Sequence, residues 1–129
     1  MATVLTTVGR GVLVDLIDGT SANHLTSANT FIGWGTGAGT AAAGDTDLFT
    51  PATEARVAST ESQPAADKLQ WVGTITANGS KTVTNAGAFD GAGTGSPPSG
   101  ANLVVHGDHT GQAVASGDKI EYTITLQQT

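Results

Sequence analysis

The chain has 129 residues, with 11 acidic against 5 basic side chains, a formal net charge of −6 and no cysteine. That length suits one domain spanning residues 1–129, a size at which roughly two thirds of the unfolded chain's surface can be buried. The acidic balance opposes sequence-independent nucleic-acid binding, and the missing thiols exclude disulfides and thiolate metal sites.

Charged residues make up only 12% of the chain, while Thr, Ala and Gly supply 58 of the 129 positions. Threonine favours strands and glycine favours turns, so the composition points to a β-rich protein with an uncharged Thr/Ser/Asn surface. Few like charges also suit a chain that packs against neighbours. No apolar run approaches the roughly 20 residues of a membrane-spanning helix. The opening MATVLTTVGRGVLVDL lacks the basic head, apolar block and cleavage site of a signal peptide. The expectation is a protein made and kept inside a cell, or assembled there into something larger, with no membrane and no nucleic acid among its partners.

In chain order, Val8, Val12, Leu13, Leu16 and Ile17 form a helical stripe, which predicts a helix over about 6–18. A preceding threonine can cap it, and Gly19 can supply the left-handed residue at its end. Gly9 and Gly11 weaken it by up to about 1 kcal/mol each, and a strand over GVLVDLI is the competing reading. TFIGW and EARVAST predict short strands. In KLQWVGTITANGSKTVTNAGAFD, Leu69, Trp71, Gly73 and Ile75 face one way and Gln70, Val72, Thr74 and Thr76 the other. Asn78-Gly79 between two alternating runs predicts a hairpin with a type I′ turn. The same Asn78-Gly79-Ser80 spells a glycosylation acceptor, but without a secretory signal the turn is preferred. ANLVVHG gives another strand. In DKIEYTITLQQ, Ile120, Tyr122, Ile124 and Leu126 are expected on the core face. The Gly/Ser/Pro/Thr-rich stretches at about 35–47 and 91–101 read as long surface loops. The sum is an all-β fold: an antiparallel β-sandwich of jelly-roll or immunoglobulin-like kind, with one short N-terminal helix.

The glycines of FIGWGTGAGTAAAGDTDL loosely fit a dinucleotide fingerprint, with Gly33, Gly35 and Ala38 in register. A phosphate cradle needs a helix starting there, however, and Gly44 and Pro51 break any such helix; the lysine of a P-loop is also missing. These glycines are expected instead to let the backbone turn sharply or approach another chain closely. In HGDH, His106 and Asp108 share one face of an extended segment beside His109, but a fourth metal ligand is lacking, and the segment reads as a polar strand end and loop. Asp45 and Asp47 lack the calcium-loop spacing, and Asp45 is expected to cap a turn. His24, His106 and His109 have no recognisable nucleophile partner. Trp34 and Trp71 sit in apolar strand contexts and read as packing. No enzyme, no cofactor and no metal is therefore expected.

FIGWGTGAGTAAAGDTDLFT, EARVAST, WVGTITANGSKTVTNAGAFD, ANLVVHG and ASGDKIEYTITLQ together resemble a group of small structural proteins of tailed bacteriophages. The resemblance rests on Gly35, Thr36, Gly37, Asp45, Thr46, Leu48, Arg56, Val57, Gly87, Phe89, Asp90, Ser116, Gly117 and Asp118, and spans most of the chain. The Gly/Ser/Pro stretch after Phe89 is longer than that pattern has. The resemblance implies a non-enzymatic virion component, and within that class a capsid decoration or cement protein on the outer surface of a major capsid protein shell. A tail or neck component is the alternative. Localisation on the virion exterior, synthesis in a host bacterial cytoplasm, and self-association as a trimer, or else a dimer, go with it. The expected contacts are Ala2, Thr3, Val4 and Leu5, together with Gly35, Gly37, Gly39, Asp45 and Asp47 of the glycine-rich loop, whose bare backbone can pair with a neighbour's edge strand.

Overall fold

In the computed structural model, which describes residues 2–19 and 25–128, the chain forms β1 (Thr3–Leu5), α1 (Thr7–Asp18), β2 (Phe31–Gly35), β3 (Val57–Ala58), β4 (Thr60–Ala65), β5 (Lys68–Thr76), β6 (Lys81–Phe89), β7 (Leu103–Val114) and β8 (Lys119–Gln127). A five-stranded sheet runs β1-β7-β6-β2-β3 and a three-stranded sheet runs β4-β5-β8, with every pairing antiparallel. The fold is an all-β sandwich with one short N-terminal helix. His24 lies outside the described residues. No helix among them is long and apolar enough to cross a membrane.

The helix starts and stops where its sequence signals place it. Thr6 Oγ1 accepts from the Gly9 N–H at 2.8 Å, and Gly19 closes the last turn at φ 79° with its own N–H on the Asp15 carbonyl. The strand alternative over GVLVDLI is not adopted. Gly9 has a packing role that outweighs its low propensity: a Cβ there would lie 2.3 Å from the Val104 carbonyl oxygen, so glycine lets α1 rest directly on β7. The stripe is narrower than its spacing suggests. Val12 is buried and Leu13 and Leu16 are half-buried, whereas Ile17 is 86% exposed.

One apolar cluster draws on both sheets, including Ile32, Trp34, Trp71, Ile75, Val83, Ala88, Val104 and Val105. Both tryptophans are core residues, and their ring N–H groups are satisfied by the Glu54 carboxylate and the Leu25 carbonyl. On β8 the expected alternation holds, yet Ile120, Tyr122, Ile124 and Leu126 are only half-buried, because β8 is the edge of the narrower sheet.

The hairpin expected at Asn78-Gly79 is not formed. β5 pairs with β4 and β8, while β6 pairs with β2 and β7, so the connection crosses from one sheet to the other. Neither Asn78 nor Gly79 has a positive φ. What holds the crossing is a buried carboxylate: Glu54 Oε1 accepts from the Asn78 N–H at 3.0 Å and from Lys81 Nζ, and Oε2 accepts from Trp34. Two further stretches depart from the expected strands. β4 (TESQPA) is largely exposed and so carries no apolar period. β7 continues through Asp108 to Val114, so HGDH lies inside a strand rather than at its end.

Candidate partner-contact surface

The stretch 36–50 is a flap folded down on the outer face of the five-stranded sheet. Its stems pair, Thr36 N–H to the Thr50 carbonyl at 3.0 Å and Gly37 N–H to the Phe49 carbonyl at 2.9 Å. Its underside is apolar: Leu48 closes a small cluster with Phe89 and Leu103. Glycines make this contact possible, since Cβ atoms at Gly35 and Gly87 would sit 2.4 Å from the Phe49 carbonyl and 2.6 Å from Leu103 Cδ1. The close approach expected of the glycine-rich loop is therefore made here to its own chain.

Polar side chains pin the flap. Asn85, fully buried on β6, bonds both the N–H and the carbonyl of Phe49. Because Phe49 fixes the orientation of that amide, Asn85 Oδ1 accepts from His106 Nε2 at 3.1 Å. His106 Nδ1 meets Asp45 Oδ2 at 2.7 Å, so the ring faces an oxygen at each nitrogen. His106 is 0% exposed and stands edge-on to Phe49 with centroids 4.7 Å apart. The Ala42 N–H bond, joined by His106, holds the Asp45 carboxyl below the usual carboxylate range against the opposing effect of burial. Arg56, buried, lies 3.5 Å over the Phe89 ring centroid and donates to the Gly100 carbonyl at 2.8 Å, which ties down the 91–101 stretch.

The two segments expected to contact a partner converge. Ala2 N and Ala41 N both donate to Asp108 Oδ1, at 3.0 and 2.9 Å, and the Thr7 N–H reaches the Ala43 carbonyl. Thr3, Val4 and Leu5 form an edge strand in register with Gly107, His106 and Val105. Of the expected contacts, Gly35, Gly37 and Asp45 are committed to internal packing or bonding. Thr3, Gly39 and Asp47 are exposed, although Asp47 Oδ1 also accepts from the Leu48 N–H. The outward side of the flap is almost uncharged, with Ala38, Gly39, Thr40, Ala42, Gly44 and Thr46 exposed beside Asp47. Sequence reasoning missed Asn85, Phe49 and Asp108 as the fastenings of this surface. The available signal was a lone Asn among the small residues of TNAGA. No group of three or more potential ligands able to hold a metal ion exists among the described residues.

At the opposite side of β7, His109 Nε2 meets the Tyr122 hydroxyl at 2.9 Å and joins the two sheets; burial pushes that hydroxyl's pKa up. Beside this pair a cleft of about 410 Å³ opens between the sheets. No known protein family, curated protein or solved structure matches this chain.

Proposed function

We propose that this chain is a non-enzymatic structural protein of a virion, a decoration or cement protein that binds the outer surface of a shell of major capsid protein and stiffens it. The observation that carries the reading is that six residues of the phage-protein pattern, Gly35, Gly37, Leu48, Arg56, Gly87 and Phe89, meet at one joint. Gly35 and Gly37 lie against Phe49, Leu48 packs with Phe89 near Gly87, and Arg56 covers Phe89. The pattern thus encodes a pinned flap whose outer side exposes small residues with Asp47 and is joined to Ala2–Leu5 through Asp108, an arrangement suited to lying on a lattice. Its buried ionisable groups, Glu54, Arg56 and His106, are each engaged in holding segments together, which fits a structural role. Self-association, as a trimer before a dimer, belongs to the same reading, and the acidic chain takes neither nucleic acid nor membrane as partner.

A cement protein binds the assembled lattice in preference to the free subunit, so its binding free energy adds to lattice stability by linkage. The test is to label the protein on intact particles. Label over the whole shell, with particles lacking the protein bursting at lower temperature, supports the reading. Label confined to the tail or one vertex replaces it with a tail or neck component, and absence of the protein from particles overturns both.

A further inference from the structure

The sheet edges are not equally protected. β1 has three residues and β3 has two, β4 carries Pro64 and an irregular register between Ser62 and Ala65, and β7 beyond β1 is bulged against β6. Among the described residues, β8 is the edge strand that is long and regular, pairing with β5 through all nine residues without a shift. Short strands, prolines and bulges are the usual means of blunting an edge, and β8 has none of them.

Its free side can be read from the ladder. Gln128 N donates to the Asp67 carbonyl at 2.9 Å and Ala77 N to the Asp118 carbonyl at 2.7 Å, so even-numbered residues direct their backbone groups toward β5. Lys119, Glu121, Thr123, Thr125 and Gln127 then direct theirs outward. The middle of this edge faces the cleft of about 410 Å³, whose lining includes four consecutive β8 residues, Tyr122 to Thr125. Its far wall is the overhang of the wider sheet, with Val105, Gly107 and Thr3.

We propose that this cleft binds an extended peptide segment of another polypeptide, which adds to β8 as a fourth strand. The occupant's chemistry follows from the walls. Alternate small apolar side chains enter between Val105 and Ile124, where Tyr122 and Ile124 are only half-buried; on the outer face Lys119 and Glu121 offset each other locally, and the net charge of −6 on the protein as a whole favours a basic occupant. The inference does not depend on the capsid reading.

The experiment titrates the ¹⁵N-labelled full chain with an acetylated heptapeptide Thr-Val-Lys-Val-Thr-Val-Lys and follows backbone amides by NMR. Saturable shifts centred on the amides of Glu121, Thr123, Thr125 and Gly107, with at least about tenfold slower exchange of the three β8 amides, are expected. Thr123→Pro removes one outward donor and abolishes them. Thr123→Ala, which keeps the N–H and shows that the exposed site tolerates substitution, leaves them in place. A heptapeptide with Pro at alternate positions gives none. No saturable shift at millimolar peptide, shifts centred elsewhere, or equal binding by Thr123→Pro overturns the proposal.

Discussion

Asn85 and Phe49 are paired as two strands would be: the Phe49 N–H donates to Asn85 Oδ1 at 3.0 Å, and Asn85 Nδ2 donates back to the Phe49 carbonyl at 3.1 Å. A side chain of the sheet thus takes the place of a sixth strand and fastens the flap. Asn85→Ala leaves the Phe49 N–H and the His106 ring nitrogen without their partner, while the Phe49 carbonyl keeps the Gly37 N–H. It is expected to lower stability by about 3 kcal/mol, since each buried polar group left unpaired costs about 1–3 kcal/mol. The check is a denaturant titration, in which the midpoint falls while the slope stays constant.

Gly9 and Gly11 look alike in the sequence and differ in the fold. Alanine at either should favour the helix by up to about 1 kcal/mol on propensity alone. At Gly11 nothing lies within 4 Å of the added Cβ, so Gly11→Ala is expected to raise the melting temperature. At Gly9 the Cβ would meet the Val104 carbonyl oxygen and α carbon at 2.3 and 2.8 Å, which forces α1 off β7. Gly9→Ala is expected to cost about 2 kcal/mol or more, in the range of overpacked cores. Melting curves of the two variants should move in opposite directions, and movement in the same direction would contradict the packing described.

The helix, its caps, the two tryptophans and the β8 alternation were legible because each is written in a local period or a single capping residue. What was not legible depends on contacts distant in sequence. Asn78-Gly79 carries the residues of a hairpin turn, but Glu54, 24 residues earlier, captures the Asn78 N–H and directs the chain to the other sheet. The glycine-rich stretch appears unable to bury anything when its composition is read alone. It buries Ala41 and Leu48 because glycines on β2 and β6 leave bare backbone for the flap to sit on. β4 was invisible because a mostly exposed edge strand has no apolar face to show.

Glu54 makes the sheet crossing sensitive to acid. Burial opposes its ionisation, but bonds from Lys81, Trp34 and Asn78 outweigh that and hold the carboxyl at about 2, below an ordinary value of 4.5. A group whose pKa is lower in the folded state stabilises above its unfolded pKa and loses that contribution as pH falls through the folded one. The contribution, roughly 3 kcal/mol by the size of the shift, is therefore complete above about pH 4.5 and lost between there and about pH 2. Glu54→Gln is expected to be less stable at pH 7, and its deficit against the parent chain should shrink as pH drops through this window. Denaturation midpoints of both chains from pH 2 to 7 measure this, and a deficit constant with pH would remove the carboxylate from the account.

His106 and His109 are three residues apart in HGDH, and the sequence treats them as equivalent. The fold does not. His106 is completely buried between Asn85 and Asp45 with Phe49 at its edge, whereas His109 is half-buried and bonds the Tyr122 hydroxyl and the Thr110 carbonyl near the surface. His106→Ala empties a packed site, removes a partner from the Asn85 amide and leaves Asp45 held only by Ala42. A loss of about 2–3 kcal/mol is expected, as for other buried networks deprived of a member. His109→Ala removes two bonds near the surface that water can replace, at a cost of about 1 kcal/mol or less. The effect of His106→Ala should also be local. Hydrogen exchange at the Gly37 and Phe49 amides, whose acceptors are the Phe49 carbonyl and Asn85 Oδ1, should accelerate far more than exchange at β5 amides paired with β8. Equal acceleration in both places would mean that His106 supports the whole sandwich and not the flap in particular, and no acceleration at Gly37 and Phe49 would show that Asn85 holds the flap without it.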